Sequence, residues 1–399
     1  MFSKKKIFFA LVMFLLIPSI VYGNESRLLE APIFIDDIPI NTRYIMREGH
    51  LMVPALYLKH TGAYVDWNEQ YRSVVFKAKD KMFALPVGKS YSDDFNQSTG
   101  KWIRHPLPIA TIDFGGEPFV PLIDVAKKLG MGVRYDPKVN RTFITTNLPI
   151  AANSIETAGT TEKLVALTFD DGPEDYYTPK ILSILKEKGV PATFFVVGRQ
   201  ITYFPEIMKQ IAKDGHGIAN HTWHHPDLRY QWSSTVKEEI ISTQSEIQKV
   251  LGKKPDVFRP PYGAYTKADV AILNEIGMRN ILWSVDTLDW SGMSAEAIME
   301  IIHRDISPGG IILQHNFQSQ ARLLDGTIEA LPRIIDDLQK QGYKFVTMQT
   351  LLDKQKEELQ GKQVQNPPAE GQPNEPPIAQ PPAQEKPIDQ QPIVPPPTQ

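Results

Sequence analysis

From residue 163 to residue 353 the chain alternates short apolar runs with longer amphipathic stretches. The runs have the length of buried strands, and the stretches have the apolar spacing of surface helices. The predicted strands are 164–169, 192–197, 216–220, 256–259, 280–285, 310–314 and 343–347. The predicted helices are 178–188, 204–214, 235–251, 267–276, 294–305 and 327–341. This alternation favours a parallel α/β sheet, and roughly seven strands are enough to close a barrel.

A second pattern occurs twice between residues 24 and 150. Each copy has Val-Pro, a helical stretch that ends at Gly, a strand with an aromatic residue, a turn with Arg and a second strand. The copies begin at Val53 and Val120. Repetition of this kind predicts two small α/β halves packed together.

This repeated segment resembles the copper amine oxidase N-terminal-like domain, an accessory module of exported bacterial proteins, over most of residues 31–147. Copper is not expected, because His50, His60 and His105 are scattered and lack ligand spacing. Core packing is favoured over a sugar-stacking surface for four aromatic residues, since aromatic side chains dominate protein cores. These residues are Trp67, Tyr71, Trp102 and Tyr135.

The ends of the chain and the stretch between its two patterns differ in composition from a folded domain. Lys4, Lys5 and Lys6 precede an apolar run over 7–20, which predicts a secretory signal peptide at residues 1–23. The protein is therefore expected to be secreted or associated with the cell wall, or anchored in the membrane if the signal stays uncut. Residues 151–162 lack periodicity and are predicted to be a linker. Residues 354–399 are predicted to be a disordered Pro/Gln-rich tail.

Charge and cysteine content exclude several classes of site. The formal net charge of −3 becomes −6 once the three lysines of the signal peptide are lost, which argues against a nucleic-acid partner. The chain has no cysteine, which excludes disulfides, thiolate metal sites and cysteine nucleophiles. Any metal must therefore be held by histidine and carboxylate.

The stretch from Leu164 to Pro173 carries the first candidate chemistry. Its apolar run is typical of a buried strand, which Gly172-Pro173 breaks directly after two carboxylates, Asp170 and Asp171. The carboxyl ends of parallel strands are where α/β folds place catalytic groups. An ordinary Asp-Gly turn is the alternative interpretation of this stretch.

Polar clusters follow four more of the predicted strands. His221 and His225 have the spacing of two metal ligands on one helical turn, although Thr222 stands where a zinc protease has its Glu. The neighbouring His224 is expected to be an ordinary surface residue. The other clusters are Arg259-Pro260-Pro261-Tyr262-Gly263, Asp286-Thr287-Leu288-Asp289-Trp290 and Leu313-Gln314-His315-Asn316. A barrel would bring all five clusters to one end.

Together the five clusters resemble the motifs of the polysaccharide deacetylase family, the NodB-like members of carbohydrate esterase family 4, over residues 163–353. The resemblance implies an α/β fold in which a distorted (β/α) barrel of the NodB type follows a small α+β repeat domain at 24–150. One departure is Asn316, where the family commonly has Asp. We interpret this difference as tuning of the site.

The resemblance implies that a divalent metal is bound by Asp171, His221 and His225. Zn²⁺ is favoured, with Co²⁺ as an alternative, because two histidines and one carboxylate leave a position open for water. Asp170 would then act as the base that takes the proton of this water. Arg259 would orient Asp170.

The remaining motif residues would act on the leaving group and the acetyl group. His315 would protonate the departing amine, and Asp289 would hold its tautomer and favour its charged form. The Tyr262 backbone N–H would bind the oxyanion. Trp290 and Leu313 would line the slot for the acetyl methyl group.

The implied function is metal-dependent N-deacetylation of an N-acetylglucosamine-containing polysaccharide, peptidoglycan first, with release of acetate. Chitin-oligomer deacetylation and hydrolysis of O-acetyl or xylan esters are alternatives within the hydrolases. A catalytically weak wall-binding protein is the alternative from another class. The N-terminal domain and the tail are expected to contact the wall, and removal of residues 24–150 is expected to spare activity on small oligomers.

Overall fold

The computed structural model of the protein describes residues 28–320 and 322–365. The predicted signal peptide and the part of the predicted tail beyond residue 365 lie outside the described residues. Among the helices that are described, none is long and apolar enough to cross a membrane.

Residues 28–148 form an N-terminal domain built mostly of β-strands. The strands are β1 (Leu29–Ile35), β2 (Ile38–Arg47), β3 (His50–Pro54), β4 (Tyr64–Asn68), β5 (Ser73–Ala78), β6 (Lys81–Pro86), β7 (Tyr91–Asn96), β8 (Lys101–Pro106), β9 (Ile112–Phe114), β10 (Glu117–Pro121), β11 (Gly132–Asp136) and β12 (Arg141–Thr145). A 3-10 helix covers Ala55–Thr61, and the helix α1 covers Leu122–Lys128. One sheet has the order β11-β12-β1-β2-β3-β10-β9, and β4 to β8 form a second, antiparallel sheet.

Both copies of the sequence repeat are present, but the two copies are not equivalent in the fold. Each copy gives a strand, a short helix and two further strands in the predicted order. The first pair, β4 and β5, opens the five-stranded sheet, whereas β11 and β12 lie in the seven-stranded sheet, where β12 pairs with β1. The copies differ because β5 continues into the meander β6–β8, which has no counterpart after β12.

The aromatic residues of this domain do not follow the core-packing prediction. Tyr71 is 67% exposed, Trp102 is 47% exposed and Tyr135 is 55% exposed, so that prediction is wrong for all three. Trp67 is half-buried and stacks on Trp232 of the following domain. The domain core is instead made mainly of aliphatic and Phe side chains, among them Ile35, Val53, Leu58, Val65, Phe76 and Leu122.

Residues 153–365 form a second domain in which strands and helices alternate. The strands are β13 (Ser154–Ile155), β14 (Leu164–Asp170), β15 (Thr193–Val196), β16 (Gly217–Asn220), β17 (Val257–Phe258), β18 (Arg279–Ile281), β19 (Val285–Asp286), β20 (Gly310–His315) and β21 (Lys344–Phe345). The helices are α2 (Tyr177–Lys188), α3 (Gly198–Tyr203), α4 (Pro205–Lys213), α5 (Ser233–Leu251), α6 (Lys267–Ile276), α7 (Ala295–Asp305), α8 (Asp325–Lys340) and α9 (Met348–Gln365). The sheet order is β13-β18-β17-β16-β15-β14-β20-β19, with β21 beside β14.

The predicted alternation is confirmed, and the differences lie at its margins. The predicted strand 280–285 is two strands, β18 and β19, and the helix α3 was not predicted. The segment 151–162, predicted to be a linker, contributes β13, which pairs with β18 and extends the sheet. The helix α9 runs to residue 365, so the first residues of the predicted tail are helical.

The sheet is a parallel, incomplete barrel whose edges lie near each other. The strands β18 and β19 lie near opposite ends of the strand order. Along the chain, however, only residues 282–284 separate them. Three residues span roughly 10 Å when fully extended, so the sheet must curl strongly. In register, Asp170 pairs with His315 and Asp286 pairs with Leu313, which brings the motif residues to the carboxyl edge.

Candidate active site

Asp171, His221 and His225 form the one cluster in the described residues that could hold a metal ion. Their ligand atoms all lie within 4.8 Å of one another. Asp171 Oδ1 is 3.5 Å from His221 Nε2 and 3.2 Å from His225 Nε2. This buried oxygen forms no hydrogen bond within the described chain, which is the state expected of an atom directed at a metal. The cluster therefore fits the donor set of a catalytic zinc site.

The charge of Asp171 is favoured by the two histidines that face it. Burial alone would raise the pKa of Asp171, but the imidazoles of His225 and His221 hold that pKa well below its ordinary value. His221 Nδ1 lies 2.8 Å from the carbonyl oxygen of Arg259, so Nδ1 carries the proton and donates it. The Nε2 lone pair of His221 is thereby left for a metal.

The segment that carries the two histidines is a loop, and the prediction that it forms a helical turn is wrong. Thr222 and His225 have φ of 66° and 62°, which is left-handed backbone. The backbone N–H groups of Trp223 and His224 both donate to Glu239 Oε2 at 2.9 and 2.8 Å. These contacts replace the hydrogen bonds of a helix and still direct both imidazoles at Asp171.

His224 is oriented away from the cluster, in agreement with the prediction of a surface residue. Its side chain is 60% exposed, and its Nδ1 lies 2.7 Å from Glu239 Oε1. Glu239 belongs to α5, which thereby fixes the conformation of the whole histidine loop. The sequence carries no local signal for this role, because Glu239 looks like any charged residue on a surface helix.

Asp170 is held by Arg259 beneath the candidate metal site. Arg259 Nη1 donates to Asp170 Oδ1 at 2.7 Å, and Asp170 Oδ2 lies 3.7 Å from His221 Nε2. The guanidinium is fully buried, lies over the Phe195 ring, and also donates to the hydroxyl of Thr168. One carboxylate oxygen is therefore occupied, and the other faces the cluster.

His315, whose side chain is 13% exposed, and the buried Asp289 form a second pair at the same edge of the sheet. His315 Nδ1 lies 2.7 Å from Asp289 Oδ1, and the His315 backbone N–H donates to Oδ2 at 2.9 Å. The hydroxyl of Thr327 donates to the same Oδ2 at 2.9 Å. Burial alone would lower the pKa of His315, but Asp289, Asp171 and Asp170 raise it to about 9. The imidazole is therefore positively charged at neutral pH.

The three residues predicted to contact the oxyanion and the acetyl group lie in segments that adjoin the candidate site. Tyr262 has φ of 60°, and its ring, part of a residue that is 66% exposed, packs against His225 with the ring centroids 4.6 Å apart. Leu313 is 4% exposed and lies two residues before His315, on the same face of β20. Trp290 is half-buried beside Asp289 in the 3-10 helix Asp289–Ser291.

Asn316 supports the turn that carries the two aspartates, a function that its sequence pattern did not reveal. Its Oδ1 accepts from the backbone N–H of Gly172 at 3.0 Å, and its Nδ2 donates to the Thr178 hydroxyl at 2.9 Å. Its backbone N–H donates to the carbonyl oxygen of Asp170 at 3.0 Å. A Cβ atom at Gly172 would lie 2.1 Å from Asn316 Nδ2, so only glycine fits against this side chain.

Comparison with known proteins finds a family model for each domain and individual relatives over about half of the chain. Residues 157–281 match the family model Polysaccharide deacetylase, and residues 34–144 match the family model Copper amine oxidase N-terminal domain. The chain is 40% identical over 193 residues to a peptidoglycan-N-acetylglucosamine deacetylase of Bacillus cereus, covering 48% of this chain and 70% of that protein. It is 34% identical over 197 residues to a peptidoglycan-N-acetylmuramic acid deacetylase of Bacillus subtilis, covering 48% of this chain and 73% of that protein. A crystal structure of a peptidoglycan N-acetylglucosamine deacetylase aligns with a TM-score of 0.49 and 38% identity, over 50% of this chain and 93% of that chain.

Proposed function

The chain belongs to the polysaccharide deacetylase family, carbohydrate esterase family 4, and on that premise we propose that it hydrolyses the acetamide groups of peptidoglycan and releases acetate. One observation carries the proposal: Asp171, His221 and His225 converge beside Asp170 and His315 at one edge of the barrel. Of the two relatives compared above, the more similar is named for N-acetylglucosamine, which favours that amino sugar over N-acetylmuramic acid.

The metal that we propose for this site is Zn²⁺, held by Asp171, His221 and His225. Two histidines and one carboxylate form a donor set found in catalytic zinc sites, and the unpartnered Oδ1 of Asp171 supports it. When bound, the metal supplies a Lewis acid for the attacking water and for the acetamide carbonyl. Co²⁺ has the same coordination preferences and is the alternative ion.

The buried carboxylate of Asp170 supplies the base. Its Oδ2 takes a proton from water while the water oxygen bonds to the acetamide carbon. Arg259 holds the carboxylate in this orientation through Oδ1, since its guanidinium is fixed on four sides: by Asp170, by the Thr168 hydroxyl and by the carbonyls of Ile281 and Leu282. The backbone N–H of Tyr262 donates to the oxyanion of the tetrahedral intermediate.

The partly buried imidazolium of His315 supplies the acid. Asp289 accepts from its Nδ1, so the proton available for transfer is on Nε2. This proton goes to the nitrogen of the intermediate as the C–N bond breaks, and the products are acetate and a free amino sugar. After the products leave, Asp170 gives its proton to water and His315 takes a proton from water, which restores the starting state.

We propose that the reaction takes place outside the cytoplasmic membrane. The three lysines followed by an apolar run near the N-terminus support export, and the peptidoglycan named for the relatives is a wall polymer. The protein would then be secreted or held at the wall. We also propose that the Pro-rich C-terminal segment contacts the wall.

Acetate release from purified peptidoglycan, chitin oligomers and O-acetylated xylan tests the function. The expected result is release from peptidoglycan above all, with Asp170→Asn as a matched inactive control. Mass spectrometry of the digested product identifies which amino sugar has lost its acetyl group. Faster release from xylan would make the protein an O-acetyl esterase, and wall binding without any release would make it a binding protein.

A further inference from the structure

A fully buried lysine of the N-terminal domain reaches into the deacetylase domain. Lys59 Nζ donates to the carbonyl oxygens of Leu228 and Gln231 at 2.6 and 2.8 Å and lies 2.9 Å from Asp269 Oδ1. The side chains of Lys59 and Asp269 are 0% and 1% exposed. A charge removed from water in this way is costly unless it is paired, so both domains must keep their positions for the pair to exist.

The groups that Lys59 contacts are attached to catalytic segments. Leu228 begins the short 3-10 helix Leu228–Tyr230 and Gln231 caps its end, in the segment that follows the candidate ligand His225. Asp269 forms a capping box with Thr266 at the start of α6, and Thr266 lies four residues after Tyr262. The ammonium group of Lys59 therefore contacts both the segment after His225 and the helix that follows Tyr262, the proposed oxyanion donor.

The same face of the N-terminal domain also caps α5. The carboxylate of Asp66 accepts from the Ser234 backbone N–H at 2.7 Å, and the Val65 N–H donates to Ser233 Oγ at 3.0 Å. The Asp66 carboxylate serves as the cap of α5, since its N-cap residue Trp232 makes no side-chain cap bond and stacks on Trp67 instead. The Val65 bond holds the side chain of Ser233, the first residue of this helix. Helix α5 carries Glu239, which fixes the loop between the two histidines.

We propose that the N-terminal domain is a fixed part of the catalytic unit and that Lys59 is a positioning residue for the metal-ligand loop. Its side chain sets the path of residues 226–231 and the start of α6, and through them the positions of His225 and Tyr262. The inference rests on the proposed deacetylase function, because positioning acts on the metal and oxyanion groups of that reaction. It replaces the expectation that residues 24–150 are a dispensable accessory module.

The test compares two lysines that cross the same interface. Lys59→Met removes the buried cation, whereas Lys267→Met removes the exposed Lys267–Asp36 pair, whose side chains are 37% and 33% exposed. We expect Lys59→Met to lower Co²⁺ affinity about 10-fold to 100-fold, as loss of a residue that supports metal ligands does. Hydrogen exchange at the backbone amides of residues 227–232 should also rise. Lys267→Met should change neither quantity.

A double variant separates positioning from simple stability. Lys59→Met with Asp269→Asn removes both buried charges, so the melting temperature should recover. The carbonyls of Leu228 and Gln231 still lack their donor, so weak Co²⁺ binding and fast amide exchange at residues 227–232 should persist. This variant also decides the matter if Lys59→Met alone does not fold.

Two results would overturn the proposal. One is parental Co²⁺ affinity and exchange in folded Lys59→Met, and the other is full recovery of both in the double variant. Either would make Lys59 a stabilising residue only. Absence of acetate release by the parent protein would contradict the deacetylase function itself, while the affinity and exchange data would still report on Lys59.

Discussion

The carboxylate of Asp170 receives a hydrogen bond from Arg259 Nη1 at 2.7 Å, and the two side chains are 3% and 0% exposed. Its neighbour Asp171 is not paired with any guanidinium in the described structure and faces two imidazoles instead. Adjacent residues of one type therefore occupy different environments, which supports the different roles that we propose for them: Asp170 as the base and Asp171 as the metal ligand.

Replacement of each aspartate by asparagine should separate these roles. Asp170→Asn should keep metal binding near the parental level while turnover falls by a factor on the order of 10²–10⁴, because an amide cannot take the proton of water. Asp171→Asn should weaken metal binding first, and excess metal should partly restore its turnover. Metal stoichiometry and turnover are measured side by side across metal concentration. Metal rescue of the Asp170 variant alone would reverse the assignment.

Acetate release should depend on a metal, and metal affinity should depend on His221 but not on His224. Chelation should abolish acetate release, and added Zn²⁺ or Co²⁺ should restore it. His221→Ala should lose metal affinity, whereas His224→Ala should retain most of it, because His224 contacts Glu239 on the exposed side of the loop. Binding is measured by titration of the chelated protein. Full activity of a verified metal-free sample would contradict the assignment.

The pH dependence of turnover should report the pair of His315 and Asp289. In the proposed mechanism the acid form of His315 is the active form. Its pKa is raised to about 9 chiefly by Asp289, so turnover should fall as pH rises through this pKa. Asp289→Asn removes the negative charge and should lower the pH at which turnover falls by about one to two units. Thr327→Val keeps the charge and is the matched control, in which this pH should stay near the parental value. An unchanged pH of decline in Asp289→Asn would exclude His315 as the acid.

Asn316 should matter for the conformation of the aspartate turn. Asn316→Ala leaves the buried N–H of Gly172 without an acceptor, which should lower the free energy of unfolding by about 1–3 kcal/mol. Turnover should fall as well, since the turn carries Asp170 and Asp171. Asn316→Asp keeps an acceptor for Gly172, while the Thr178 hydroxyl can donate in place of the lost amide. It should therefore retain turnover within a few-fold, and equal losses in both variants would contradict this account.

Local pattern in the sequence was sufficient for the framework of the second domain and for the edge of the sheet at which its candidate site residues lie. The spacing of apolar residues is a property of ten to twenty neighbouring positions, so strands such as β14 and helices such as α6 could be predicted. Polar residues placed directly after apolar runs identified the carboxyl edge of the sheet. Asp170, His221 and His315 lie at that edge because each stands at, or directly after, the last residue of a strand.

Conformation within the loops depended on contacts between distant residues and could not be predicted. The spacing of His221 and His225 indicated a helical turn, but Glu239 of α5 binds two backbone N–H groups of the loop and holds it in another shape. The segment at 151–162 has the composition of a linker, yet the free edge of β18 provides hydrogen bonds that make β13 a strand.

The burial of Lys59 was decided by the tertiary structure alone. In the sequence it is one of many lysines, and its carbonyl partners lie 169 and 172 residues further along the chain. A buried ammonium group is stable only where an anion and carbonyl oxygens surround it, and these groups come together only when both domains are folded against each other. No pattern of neighbouring residues encodes such a site, because each of its parts is ordinary where it stands in the chain.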